Sequence, residues 1–174
     1  MKGIRSQFSL LRYTVMQDDR FPHITLPVLL YKGILDLPWF MPSRLIKSIF
    51  AKNRWLNFWT DGMLPYHHYH PNTHEAIGFY KGETILKLGG HHGETIKVEK
   101  GDVLVIPAGI AMKNLGDQDQ VKCVGAYANG IQAETFTGEA GELNVAVQEL
   151  KRVAMPVEDP VFGPKGGLVR LWKK

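Results

Sequence analysis

Apolar positions recur with two different periods along this chain. Over residues 43–52 (SRLIKSIFAK), Leu45, Ile46, Ile49 and Phe50 fall at i, i+1, i+4 and i+5. That spacing makes one apolar helical face, with Arg44, Lys47 and Lys52 off it. Pro42 suits the first turn of such a helix. From Trp55 onward the period becomes strand-like. The runs EAIGFY, TILKL, TIKV, VLVIP and VKCVGAY alternate with turn signals at Asp61-Gly62, Lys81-Gly82, Gly89-Gly90, Gly101-Asp102, Pro107-Ala108-Gly109 and Gly116-Asp117. Short strands at this spacing predict an all-β sandwich or barrel, with the helix packed outside a sheet. Alternation turns Ile77 and Phe79, Leu86 and Leu88, and Val121 and Cys123 inward. Thr25–Tyr31 (TLPVLLY) reads as an apolar strand after a proline-marked turn. Residues 1–12 read as a lead-in without an assigned element. The tail after Pro156 reads as loop, ending in LVRLWKK.

The 174 residues suit one domain with a core of useful size. The expected division is a barrel over about 54–130, an N-terminal strand and helix extension over 13–53 and a C-terminal extension over 131–174. No internal repeat or low-complexity tract interrupts it. The single cysteine, Cys123, makes no internal disulfide, which fits a reducing compartment and a cytoplasmic location. As a residue type it reads as a small buried hydrophobe. The N-terminus has no signal-peptide pattern, and no apolar run approaches the ~20 residues of a membrane span. The formal charge of +4 raises nucleic acid as a partner. Its distribution argues against that. Residues 1–60 carry nine Lys/Arg against three Asp, dispersed and without interleaved aromatics. Neither nucleic acid nor membrane is expected as a partner.

The chemistry concentrates in Gly62–Gly82, GMLPYHHYHPNTHEAIGFYKG, which holds His67, His68, His70 and His74. In a strand, residues two apart share a face and lie about 6.6 Å apart. Tyr66, His68 and His70 then share one face, and His67 and Tyr69 the other. Two imidazoles so placed can converge on one ion. A turn at Pro71-Asn72 brings the chain back, and Glu75 adds a carboxylate. Two His and one carboxylate, with positions left open, suit non-haem Fe(II); Mn, Ni and Zn are chemically acceptable. His23, His91 and His92 read as loop residues.

The same segment matches the first cupin motif, G-x5-H-x-H-x3–4-E-x6-G, at Gly62, His68, His70, Glu75 and Gly82. The second motif, G-x5-P-x-G-x2-H-x3-N, starts in register at Gly101, Pro107 and Gly109. The chain thus resembles a small single-domain bacterial cupin. The resemblance implies a cupin-type jelly-roll β-barrel with one or two short peripheral helices. It implies metal ligands at His68, His70 and Glu75, and a homodimer formed through paired or exchanged edge strands, to which Leu26–Tyr31 is a candidate contributor. Beside it stands a mechanical reading: Gly62, Gly82 and Gly101 sit at turns where a positive φ costs glycine little. The second motif breaks at its histidine, where this chain has Met112, and its final Asn is displaced, Gly116 standing there. Three readings of Met112 are open. It is a soft thioether ligand, which favours Cu; it fills space beside a three-ligand site; or it marks a site that has lost its metal.

A pocket with a metal and a mostly apolar wall takes a small organic ligand. Asn57 and Trp59, on one face of the preceding strand, are candidate pocket-mouth residues, and Tyr66 a candidate hydrogen-bond donor to substrate. The expected function is a metal-dependent enzyme, dioxygenase- or isomerase-like, on a small oxygen-bearing molecule, with one Fe, Ni, Zn, Mn or Cu ion. The alternative is a non-catalytic small-molecule binder with a degenerate metal site. Fold does not choose between them.

Overall fold

The computed structural model describes residues 2–173. Met1 and Lys174, the two ends of the expected domain, lie outside the described residues. The elements run β1 (Ser9–Tyr13), β2 (Val28–Lys32), α1 (Pro42–Lys52), β3 (Trp55–Asp61), β4 (Glu75–Lys81), β5 (Glu83–Leu88), β6 (Glu94–Glu99), β7 (Val103–Ile106), β8 (Met112–Asn114), β9 (Lys122–Ala128), α2 (Glu142–Leu150) and α3 (Gly167–Leu171).

Among the described residues, nine strands form two antiparallel sheets. One has the order β1-β2-β7-β4-β9-β3, the other β6-β5-β8. Ile77 and Phe79 of β4 and Leu104 and Ile106 of β7 face Leu86 and Leu88 of β5 and Ile96 and Val98 of β6, making the core between the sheets. Cys123 and Val121 belong to that core too, so alternation sorted all six inward candidates correctly. The large sheet is covered on its outer face as well. Tyr31, Val105, Val124 and Ala126 meet Ile46, Ile49 and Phe50 of α1, and Leu168 of α3 with Trp172 closes the layer. Burial on both faces is why β2, β4 and β7 read as nearly continuous apolar runs. Each fully buried Leu, Ile or Phe contributes roughly 1.5–3 kcal/mol over exposure. Gly78 lets α1 approach: a Cβ there would stand 2.7 Å from Ile46 Cγ2.

The structure sharpens several expectations. The jelly roll is present as two facing sheets of six and three strands. Among the described residues, three helices flank it, against the one or two expected. The expected lead-in contains β1, an edge strand paired with β2, so the large sheet recruits strands from outside the 54–130 core. The tail beyond Pro156 is not simply loop, because Leu168 and Trp172 are apolar enough to be drawn onto the sheet as α3 and its cap. Trp172 Nε1 donates to the Pro27 carbonyl at 2.9 Å. The apolar strand considered as a dimer edge lies inside the sheet, between β1 and β7; its two-sided burial explains its composition. Gly82 and Gly101 have φ of 70° and 99°. Gly62 is not in that region, and its reason is space, since a side chain there would run into the Gln118 carbonyl.

Candidate metal centre and cavity

Segment 62–74 is not a regular strand. It is stitched into the fold residue by residue. His68 N donates to Met112 O at 3.1 Å and Met112 N to His68 O at 2.9 Å. Tyr69 pairs in the same way with Phe136, and Gly109 N donates to His70 O at 2.8 Å. Alternation survives locally. His68 and His70 line one cavity of about 620 Å³, while the His67 ring turns away toward Phe21 and His91. His74 also turns away: its Nδ1 accepts from the Ala108 amide at 2.9 Å and its ring packs on Trp172.

Glu75 opens β4 directly beneath the histidines. Its Oε2 is 3.5 Å from His70 Nε2, and its Oε1 accepts from Trp59 Nε1 at 2.8 Å. Tyr127 stands opposite Glu75 in the β4–β9 register and lines the same cavity. Each ligand-candidate imidazole is anchored through its other nitrogen. His70 Nδ1 bonds Glu134 O at 2.7 Å, and His68 Nδ1 bonds Tyr66 O at 3.1 Å. Both rings are therefore set with Nε2 as the available nitrogen, the pattern outer partners impose on metal-binding histidines. The two rings lie 6.0 Å apart at 71°.

The protonation states follow. Burial acts to lower the His70 pKa, but the Glu75 carboxylate outweighs it and the net shift is upward. Burial acts to raise Glu75, and His70 together with the Trp59 bond brings it below the usual value. His68 goes down, burial prevailing over the Tyr66 carbonyl and Glu75. Tyr127 is raised by burial and then by the charge of Glu75.

Among the described residues, no three of His, Cys, Asp and Glu converge closely enough to hold a metal ion as they stand. The donor chemistry nevertheless fits one: two anchored neutral-capable imidazoles and a buried carboxylate, whose shared His70–Glu75 position a divalent cation can take in place of a proton. Met112 is buried, belongs to the inter-sheet core and borders the same cavity.

Asn57 and Trp59 both reach the cavity, but not by simple alternation. A bulge in β3 shifts the register against β9 between Leu56 and Trp59, and Asn57 takes a φ of 59°. Phe58 consequently lines the cavity as well. Tyr66 is not brought in; it is about half exposed and absent from the lining. The local chain departs from strand geometry after Tyr66, which defeats the i, i+2 inference. Sequence reasoning missed Asn72 and the segment it holds. Asn72 Nδ2 donates to Gln132 O at 2.9 Å, and Glu134 N donates to Asn72 Oδ1 at 2.9 Å. This clamp fixes the carbonyl that orients His70. No sequence pattern connects residues 60 positions apart, although Asn beside a proline was a visible turn signal.

Two facing antiparallel sheets, with His68, His70 and Glu75 presented into a cavity, have the form of a cupin-type jelly roll. No family model matches the chain. It is 34% identical over 163 residues to the uncharacterized protein YjlB of Bacillus subtilis (strain 168), covering 93% of this chain and 96% of that protein. The chain belongs to the family of that protein. Among solved structures it is similar to acireductone dioxygenase from Bacillus anthracis with a cadmium ion in its active center, at 17% identity and a TM-score of 0.38, over 53% of this chain and 63% of that one. A DUF861 family protein from Thermotoga maritima is 22% identical with a TM-score of 0.33, over 49% of this chain and 89% of that one. Oxalate decarboxylase of Bacillus subtilis is 14% identical with a TM-score of 0.35, and the chain spans 30% of its length. These are distant, partial overlaps; the fold assignment rests on the sheets and motifs above. No helix among the described residues is long and apolar enough to cross a membrane.

Proposed function

We propose that the protein binds one divalent transition metal through His68, His70 and Glu75 and acts as a metal-dependent enzyme, dioxygenase- or isomerase-like, on a small oxygen-bearing molecule. The observation that carries the reading is the His70–Glu75 pair at the cavity wall, with each imidazole anchored through Nδ1 to a backbone carbonyl. When bound, such a metal acts as a Lewis acid toward a carbonyl or hydroxyl oxygen, or serves oxygen chemistry. The chain's own groups do the rest. Trp59 holds Glu75 in place through Oε1. The buried surroundings of Glu75 strengthen its interaction with any cation beside it. Met112 occupies the position of the fourth motif ligand with a side chain packed in the core, which leaves coordination positions to small molecules. Fe, Ni, Zn, Mn and Cu all remain compatible with two imidazoles and a carboxylate, Cu most if the thioether ligates.

A non-catalytic binder is the second reading, favoured by Met112 standing where the motif has histidine. A homodimer in the cytoplasm completes the proposal. β1, one of the two edges of the large sheet, is a strand that offers unpaired backbone groups for it. The discriminating experiment reconstitutes the protein with each metal and follows oxygen consumption and product formation over a panel of enols, thiols and sugars. Turnover with one metal supports the enzyme. Stoichiometric metal without turnover across the panel supports the binder.

A further inference from the structure

We infer that the molecule this cavity takes is neutral and polyhydroxylated, a sugar or polyol, and carries neither carboxylate nor phosphate. The inference deepens the proposed function and rests on it. Its first support is charge. Among the described residues lining the cavity there is no lysine or arginine, while Asp61 and Asp119 stand with Glu75. Lys122, the cation beside them, is committed to Asp61 at 3.1 Å and lies 3.9 Å from Asp119. Asp61, Asp119 and Lys122 together leave a net negative charge at the solvent-exposed mouth, which opposes the entry of an anion. Beyond a bound metal, the described lining offers no ammonium or forked guanidinium to a carboxylate or phosphate.

The second support is the wall. The Trp59 indole is held at the cavity wall. Its Nε1 is tied to Glu75, and its ring lies so close over Gly125 that no side chain fits between them. The same indole lines the cavity, an apolar surface for the C–H face of a sugar ring. At the mouth are side-chain amides. Asn57 Nδ2 donates to Gln132 Oε1 at 3.1 Å, and Gln118 joins them on the lining. Amides both donate and accept, as neighbouring hydroxyls require. The volume of about 620 Å³ exceeds what a monosaccharide needs and falls within the range of small-ligand sites.

The test titrates the metal-loaded full chain with matched probes: mannose and fructose against mannose 6-phosphate and fructose 6-phosphate, and glucose against glucuronate. Calorimetry and tryptophan fluorescence are the readouts. At least one neutral sugar should bind about tenfold or more tightly than its charged counterpart. Trp59→Phe and Trp59→Leu both lose the bond to Glu75, so at equal metal content, checked first, Trp59→Leu should bind the sugar about tenfold more weakly than Trp59→Phe, which keeps an aromatic face. Gln118→Arg, at the mouth and away from the histidines, should raise affinity for the phosphate. Charged probes binding as well as neutral ones, or no neutral probe binding at all to metal-loaded protein, would overturn the inference and leave the metal reading intact. Failure to take up metal is seen by elemental analysis before any sugar is added, and it removes the reading on which the inference rests.

Discussion

His70 and Glu75 face each other at 3.5 Å, the imidazole Nε2 toward the carboxylate Oε2, while the far side of the same imidazole is tied to the Glu134 carbonyl at 2.7 Å. One ring thus links the start of β4 to the segment that follows β9. Each end of that link can be tested separately.

Asn72 grips the segment just before the Glu134 carbonyl, through the Gln132 carbonyl and the Glu134 amide. Asn72→Ala should leave the fold intact, since the clamp is partly exposed, but release the orientation of His70. Metal affinity should fall by about 10–100-fold, the usual effect of losing an outer partner. Metal titration with a chelator competitor, read beside a thermal melt, checks this. An unchanged affinity would show that His70 is oriented without the clamp.

Met112→His restores the motif's fourth donor at a position whose backbone pairs directly with His68. Metal binding should tighten by an order of magnitude or more if His68, His70 and Glu75 are ligands. Competition titration against the wild type measures it. Equal affinities in the two proteins would count against the assigned ligand set.

His74 supplies a pH dependence of stability. Burial lowers its pKa to about 4, against about 6.5 in the unfolded chain. The unfolded state therefore binds the extra proton between these values. Stability is fully present above pH ~6.5 and falls as the pH drops toward 4, by about 3 kcal/mol in all from this group. Urea melts of the wild type and His74→Gln from pH 7.5 to 4 should show a steeper loss in the wild type. Parallel curves would contradict the assignment of a buried neutral imidazole.

Gly125→Ala would put a methyl group where the Trp59 indole lies. The strand cannot yield easily, because β9 is held by β3 on one side and β4 on the other. Trp59 should move, weakening its bond to Glu75 and costing about 1–3 kcal/mol. Melting curves and a shift in tryptophan emission report it, and an unperturbed spectrum would refute it.

The core and α1 were legible because burial imposes period 2 on strands and 3.6 on helices. Ile77, Phe79, Ile46 and Phe50 all sit where those periods put them. His68, His70 and Glu75 were legible from motif spacing, down to their shared cavity. Tyr66 was misplaced because alternation was carried past the end of regular extended chain. Asn57 reached the cavity for a reason alternation does not contain, a bulge with a left-handed residue. Asn72, Gln118 and Gln132 were invisible because their roles arise from contacts across long stretches of sequence.

The central claim is that His68, His70 and Glu75 hold a metal. Elemental analysis of the purified, metal-reconstituted protein beside His70→Ala and Glu75→Gln tests it most directly. The account predicts about one transition-metal ion per chain in the wild type, and a large loss in both variants at unchanged far-ultraviolet circular dichroism. Equal metal content in all three proteins, or none in the wild type under any reconstitution, would contradict it.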